Sequence, residues 1–150
     1  MAKAFNQLVS EWAKQSEARL TAVYRRSFEL LGEEMATTVR EGGRVPFKTG
    51  NLARSVLASK DGLPEATSGP PKGSNVGLVA ATLKMDETAW IGYQAVYARR
   101  MNYGFVGADS LGRVYNQEGF HFVEYAIAVW PTIVELASED IQARVEARKK

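Results

Sequence analysis

The chain has 150 residues, enough for one domain with its own core and too few for two of full size. It carries no cysteine and a single histidine, His121, which excludes disulfide scaffolds, thiolate metal sites, cysteine nucleophiles and histidine-pair metal motifs. Lys plus Arg number 19 and Asp plus Glu 17, a net charge of +2, too mild to imply a nucleic-acid partner by itself.

The opening MAKAFNQLVSEW lacks the apolar run of a signal peptide, and no window approaches the roughly 20 apolar residues of a membrane span. A soluble chain made in the cytoplasm, with no membrane partner, is expected. From Lys3 to Arg40 there is no Pro, and Phe5, Leu8, Trp12, Leu20, Val23, Leu31, Met35 and Val39 recur at helical spacing. A helix over 4–40 follows. Unbroken, it would be roughly 55 Å long, more than a domain of this size covers, so it either breaks near Gly32 or projects onto a partner.

Glu41-Gly42-Gly43-Arg44-Val45-Pro46 stops that helix. A short helix is predicted over 50–58, with Thr49 as its N-cap and Leu52 and Val56 on its buried side. Residues 61–75, rich in Pro and Gly, read as a long loop. Val76–Leu83 and Thr88–Val96 alternate and are expected to pair as an antiparallel hairpin. Gly104 to Gly119 reads as a second long glycine-punctuated loop. Val123, Ala126, Ile127, Trp130, Val134, Ala137, Ile141 and Val145 then predict a helix over 122–147, kinked or restarted at Pro131. The fold class expected is α+β: long N- and C-terminal helices on a small antiparallel sheet. One domain over 1–150 comprises a helical part (1–60), a loop (61–75), a sheet (76–103), a loop (104–119) and the last helix (120–150).

No catalytic device is legible. Ser27 and Ser55 lack a nucleophile elbow, and the carboxylate pairs Glu33/Glu34, Asp86/Glu87 and Glu139/Asp140 fall in polar turns or on helix faces. Gly69-Pro70-Pro71-Lys72-Gly73-Ser74 has Lys before Gly rather than after it, against the phosphate-loop order. No catalytic residue, metal or cofactor is expected. Between residues 40 and 60 the bases Arg40, Arg44, Lys48, Arg54 and Lys60 face one acid, Glu41. That patch keeps a small DNA-binding or packaging-associated helper in view as the alternative.

Pro46, Thr49, Gly50, Asn51, Leu52 and Ser55 lie in place in a segment that resembles the Pro-Val-Asp-Thr-Gly-Asn-Leu-Arg-x-Ser signature of the small tail-component family of long-tailed bacteriophages, the tail-completion or head-tail joining proteins. Lys48 stands where that family has Asp, and Arg54 comes one residue late. A second block, Gly92 followed by Tyr97-Ala98-Arg99-Arg100-Met101-Asn102-Tyr103-Gly104, is similar to the family's Gly and Tyr-Ala-x-x-x-Glu-Tyr-Gly, with Asn102 for Glu. A third, Gly119-Phe120-His121-Phe122-Val123, resembles the family's Pro-Phe-Leu entrance to its last helix.

The resemblance covers roughly residues 20–147. It implies a non-enzymatic virion protein of the phage neck, forming a homo-oligomeric ring, a hexamer by expectation, at the head-proximal end of the tail. Its neighbours would be the head-tail connector and the tail tube or tail terminator proteins, with DNA passing through the lumen. Interface residues then follow from the motifs and from side-chain type: the motif positions above together with Tyr97, Arg99, Arg100, Tyr103, Gly104, Phe105, Arg113 and Tyr115. Aromatic and Arg side chains are the usual anchors of interfaces. The two loops are expected to become fully ordered only against a neighbour.

Overall fold

The computed structural model describes residues 3–150; Met1 and Ala2, at the start of the expected helical segment, lie outside the described residues. Among the described residues the elements run α1 (Phe5–Ala36), a 3-10 turn (Val39–Glu41), α2 (Asn51–Arg54), β1 (Val56–Ser59), α3 (Val76–Thr82), β2 (Trp90–Tyr93), α4 (Ala98–Tyr103), β3 (Gly104–Ala108), β4 (Val114–Glu118), α5 (Phe122–Ala128) and α6 (Trp130–Ala147). The class is α+β, with long helices at both ends. The strands form two separate antiparallel pairs, β1 with β2 and β3 with β4. No described helix is long and apolar enough to cross a membrane.

α1 is one uninterrupted helix of 32 residues, about 48 Å at 1.5 Å per residue. It does not break at Gly32. That glycine is buried, and a Cβ there would come within 2.6 Å of Val76 Cγ1, so its lack of a side chain lets α3 lie close against α1. The helix ends at Ala36, short of Arg40. Thr37 and Thr38 turn extended there, and the Glu41 carboxylate accepts from both the Thr38 N–H and its hydroxyl. Those two bonds hold the Glu41 carboxyl below its ordinary range.

The expected hairpin of 76–83 with 88–96 is not formed. Residues 76–82 are helical, because Val76, Ala80 and Leu83, at i, i+4 and i+7, are the buried positions while Leu78 is 76% exposed. Helical period and strand alternation coexist in Val-Gly-Leu-Val-Ala-Ala-Thr-Leu, and packing on α1 selects the first. β2 pairs with β1 in the register Val56↔Tyr93 to Ser59↔Trp90, so the second half of the expected 50–58 helix is a strand. Asn75 closes the outer edge of β1: its side-chain amide accepts from Ala58 N at 2.7 Å and donates to Ala58 O at 2.9 Å, as a paired strand would.

Residues 104–119 are a hairpin rather than a loop. Phe105 and Tyr115 share one face with Gly107 between them, and the turn is tied by Asp109, whose Oδ1 accepts from Leu111 N and Arg113 N, both at 2.9 Å. Residues 61–75 contain no helix or strand and meet the chain just after β2 through an isolated Thr67–Ala95 bridge. At Pro131 the chain restarts: α5 closes at Ala128 and Pro131 sits in the first turn of α6, where its missing N–H costs nothing.

α6 runs antiparallel to α1. Arg26 Nε meets Asp140 Oδ2 at 2.9 Å, and Arg19 lies beside Lys149. Two apolar clusters result. The larger joins Phe28 and Met35 of α1 to Val56, Ala58, Val76, Ala80, Leu83 and Ala126; the smaller is Val45, Leu52, Ala98 and Phe122. Tyr93 touches both and meets Phe122 edge-on at 5.0 Å between ring centres. Its hydroxyl donates to Met35 O at 2.6 Å, and burial, helped by nearby Glu34, pushes the phenol pKa upward.

Candidate functional site

The chain after Pro46 turns sharply at Gly50, whose φ of +79° places it in the left-handed region at the N-cap of α2. Thr49 is therefore not the cap. Its side chain is exposed, and its Oγ1 lies 3.4 Å from Asn51 N, a distance at which little bonding remains. The turn is held from the other end: Arg54 Nη2 donates to Thr49 O at 3.1 Å and to Asn51 Oδ1 at 2.5 Å. Leu52 points inward at 4% exposure, and Ser55 Oγ, buried, donates to Leu52 O at 2.7 Å to end the helix.

Pro46, Thr49, Gly50, Asn51 and Leu52 line one cavity of about 580 Å³ with Tyr97 and Met101 of the α4 segment. A second cavity of about 340 Å³ lies on the other side of Asn51 and Tyr97, walled by Pro70, Pro71 and Val96. Tyr97 is 42% exposed between the two. The sequence motif thus becomes a ridge flanked by two hollows, suited to receiving side chains from another surface.

The remaining predicted residues gather on the hairpin side. Arg100 lies over the Phe105 ring at 4.5 Å, and Phe105 is tilted on Tyr115 at 6.2 Å. Gly104 (φ +86°) lets β3 pass so near β4 that a Cβ would meet Gln117 O. Tyr103 is 61% exposed, and Arg99 is exposed beside it. Arg113, by contrast, is committed within the chain: its Nε donates to Asp109 Oδ2 at 2.6 Å, and the Tyr115 hydroxyl reaches the same oxygen at 3.3 Å. The Arg113 backbone amide, its guanidinium, the Leu111 amide and Tyr115 together hold the Asp109 carboxyl below the usual carboxylate range.

Asn102 joins the second and third blocks. It is 2% exposed; its Oδ1 accepts from Val123 N at 3.0 Å, its Nδ2 donates to both Glu124 oxygens at 2.8 and 3.1 Å, and its backbone O accepts from His121 N at 3.0 Å. It caps α5 from a distant segment, a role that Thr49 was expected to play for α2. Nothing local in the sequence marks it beyond its place in the Tyr-Ala-x-x-x-x-Tyr-Gly run. His121 stands just before α5 at φ +49° with an exposed side chain, the one non-glycine residue with positive φ among those described.

The basic stretch is largely occupied. Arg40 stacks on Phe47 at 3.9 Å, Arg44 on Tyr125 at 4.7 Å, Arg54 holds the Gly50 turn, and Lys60 bonds Glu87 and Thr82 O, both at 2.8 Å. Charges held this way are less free to follow a phosphate backbone than the sequence suggests. Compared with known protein families, with curated proteins and with solved structures, the chain matches none.

Proposed function

We propose that this protein is a non-enzymatic structural subunit of a bacteriophage neck, assembled as a homo-oligomeric ring at the head-proximal end of the tail and acting in tail completion and head-tail joining. One observation carries the reading beyond the sequence resemblance. The three resembling blocks, far apart in the chain, share a single apolar cluster: Val45 and Leu52 from the first, Ala98 and Met101 from the second, Phe122 and Val123 from the third. Phe120 N donates to Met101 O at 2.9 Å, binding the last two blocks together. Motifs that were only fragments of sequence therefore form one unit, whose outer surface is the ridge of Asn51 and Tyr97.

In such a ring each subunit offers one face and receives another. The Tyr97 ridge and the Arg99–Arg100–Phe105 side of the hairpin are the surfaces assigned here to neighbours, whether further copies or the connector and tail proteins. Exposed arginines beside aromatic rings give docking both charge selection and an apolar anchor.

The test is charge reversal. Arg99→Glu with Arg100→Glu loses only an exposed cation–π contact, on the order of 0.5–1 kcal/mol, so circular dichroism and the melting curve should stay close to wild type. Complementation of a phage lacking this gene should then yield few joined particles in micrographs. Wild-type numbers of joined, infectious particles from the folded variant would remove these arginines from the mechanism. Strong salt-dependent DNA binding by the isolated protein would favour the helper reading instead.

A further inference from the structure

Among the described residues, nothing covers the first third of α1. From Lys3 to Leu20 every residue except Ser16 is exposed, including Phe5 (81%), Leu8 (51%), Val9 (47%), Trp12 (69%) and Leu20 (59%). These are not scattered. Phe5, Leu8, Val9, Trp12 and Ser16 fall on the same helical face as Val23, and Val23 is where that face meets α6. Beyond the end of α6, Lys149 lines one groove with Arg19, and Arg144 of α6 shares a hollow with Lys14. Residues 5–13, about 13 Å of helix, extend past that hollow with the apolar stripe bare.

A receiving surface of matching character lies on the same chain. Between α1 and α6 runs an apolar groove of about 330 Å³ walled by Val23, Ile141 and Val145, with Arg19, Glu146 and Lys149 at its rim. It is large enough for one indole ring. We propose that the projecting segment of α1 docks, through Phe5, Leu8 and Trp12, into the α1–α6 groove of a second copy of this chain. Knob and groove are different surfaces, so the contact is head-to-tail and propagates until it closes. The inference rests on the ring reading only for that closure.

Size and charge favour a second copy as the occupant. The stripe presents roughly 500–600 Å² of apolar side chain, taking 150–250 Å² per aromatic ring and less per aliphatic side chain. That is most of the ~800 Å² per partner of a standard interface. Over residues 3–20 the charges are Lys3, Lys14 and Arg19 against Glu11 and Glu17, 3 − 2 = +1. A helix that binds anionic membrane carries a strongly basic polar face, and this one is nearly neutral. Its mixed charges meet the mixed rim of the groove without net repulsion.

The whole chain suits the test because it has no native cysteine. Sedimentation velocity across a concentration series should show wild type assembling beyond the monomer. Phe5→Ala with Trp12→Ala should remain monomeric while keeping its dichroism and Tm, as both side chains lie outside the core. Leu8→Cys and Val145→Cys chains should form a disulfide-linked dimer when mixed, and neither should do so alone. Assembly that survives the double alanine variant would overturn the proposal. So would Leu8→Cys cross-linking to itself, which marks a two-fold pairing, or a wild-type monomer that instead pellets with phosphatidylglycerol vesicles. Loss of joined phage from the Arg99/Arg100 reversal with self-assembly intact bears on neck function alone, so the two readings fail separately.

Discussion

Asn102 is the residue whose replacement tests the architecture most sharply. Its side chain is buried, yet every polar atom on it is used, and only one orientation of the amide satisfies both sides: oxygen toward the Val123 N–H, nitrogen toward Glu124. In Asn102→Ala the Val123 amide at the start of α5 loses its acceptor. That one lost bond costs about 0.5–2 kcal/mol where water can replace the cap and about 1–3 kcal/mol where the amide is left without a partner, and Val123 N is part-buried. The bonds to half-exposed Glu124 add little, because water replaces them. A destabilisation of about 1–3 kcal/mol is expected, and at about 2–4 °C per kcal/mol for a chain of this size the Tm should drop by roughly 2–12 °C.

Asn102→Asp separates the two contacts. It keeps an acceptor for Val123 N but sets a second carboxyl against Glu124. In the native protein the Asn102 amide, more than any other group, depresses the Glu124 pKa, so its contribution is present above the unfolded-state value near 4.3 and is lost as pH falls through the folded one. In the variant two carboxyls share the site and one of them is raised. Its contribution is complete below the unfolded-state value and is lost as pH rises. Thermal melts between pH 3.5 and pH 8, followed by circular dichroism, should therefore show the gap between variant and wild type widening with pH. An alanine variant that melts within a degree of wild type, or an aspartate variant whose gap from wild type stays constant across that range, would refute the cap.

Leu52→Ala should cost about 2–5 kcal/mol by urea titration, as for other buried leucines, whereas exposed Thr49→Ala should stay within about 0.5 kcal/mol of wild type. Gly32→Ala sets propensity against packing: alanine gains up to about 1 kcal/mol in a helix interior, but the new Cβ would meet Val76 at 2.6 Å, an overpacking typically worth 1–3 kcal/mol, so its Tm should fall. Tyr93→Phe leaves Met35 O without its donor and should cost about 1–2 kcal/mol. Because the folded-state phenol is raised above its unfolded value, wild-type stability should decline as pH climbs beyond about 10, and the Phe variant should lack that part of the decline.

The long helices were legible because their stripes run for many turns, and so was an interruption at Pro131, expected as a kink or a restart and found as a restart. Short elements were not. Val76–Thr82 carries both periods, and the helix is chosen by packing on α1, where the remote Gly32 lets Val76 approach. Val56–Ser59 looked like a helix end because its partner, Trp90–Tyr93, is equally remote. The hairpin at 104–118 was hidden by its glycines, two of which serve it: Gly104 by close approach to β4, Gly107 by lying beneath the Phe105 ring. At the site, residue identity pointed to the Asn51–Tyr97 ridge but not to Asn102 or Asn75, whose roles consist of bonds to segments 21 and 17 residues away.

The surfaces proposed for assembly lie outside the parts of the molecule that carry its stability, and that division makes the proposed interfaces testable. Burial is concentrated where α1 from Tyr24 onward meets α3, β1, β2 and α5, with the smaller cluster joined to it through Tyr93. The projecting turns of α1 and the outer faces of the hairpin contribute nothing to either cluster: Phe5, Trp12, Val106 and Val114 are each at least 69% exposed. An apolar side chain in water has no burial energy to lose, so its truncation should leave folding intact. Two-stranded hairpins are marginal on their own, and this one is anchored at its base by the backbone bonds Phe120 N to Met101 O and His121 N to Asn102 O. Its valines therefore stay on the surface of a folded subunit. A phenotype from altering them, or from altering the α1 stripe, reports contact with another molecule rather than loss of fold.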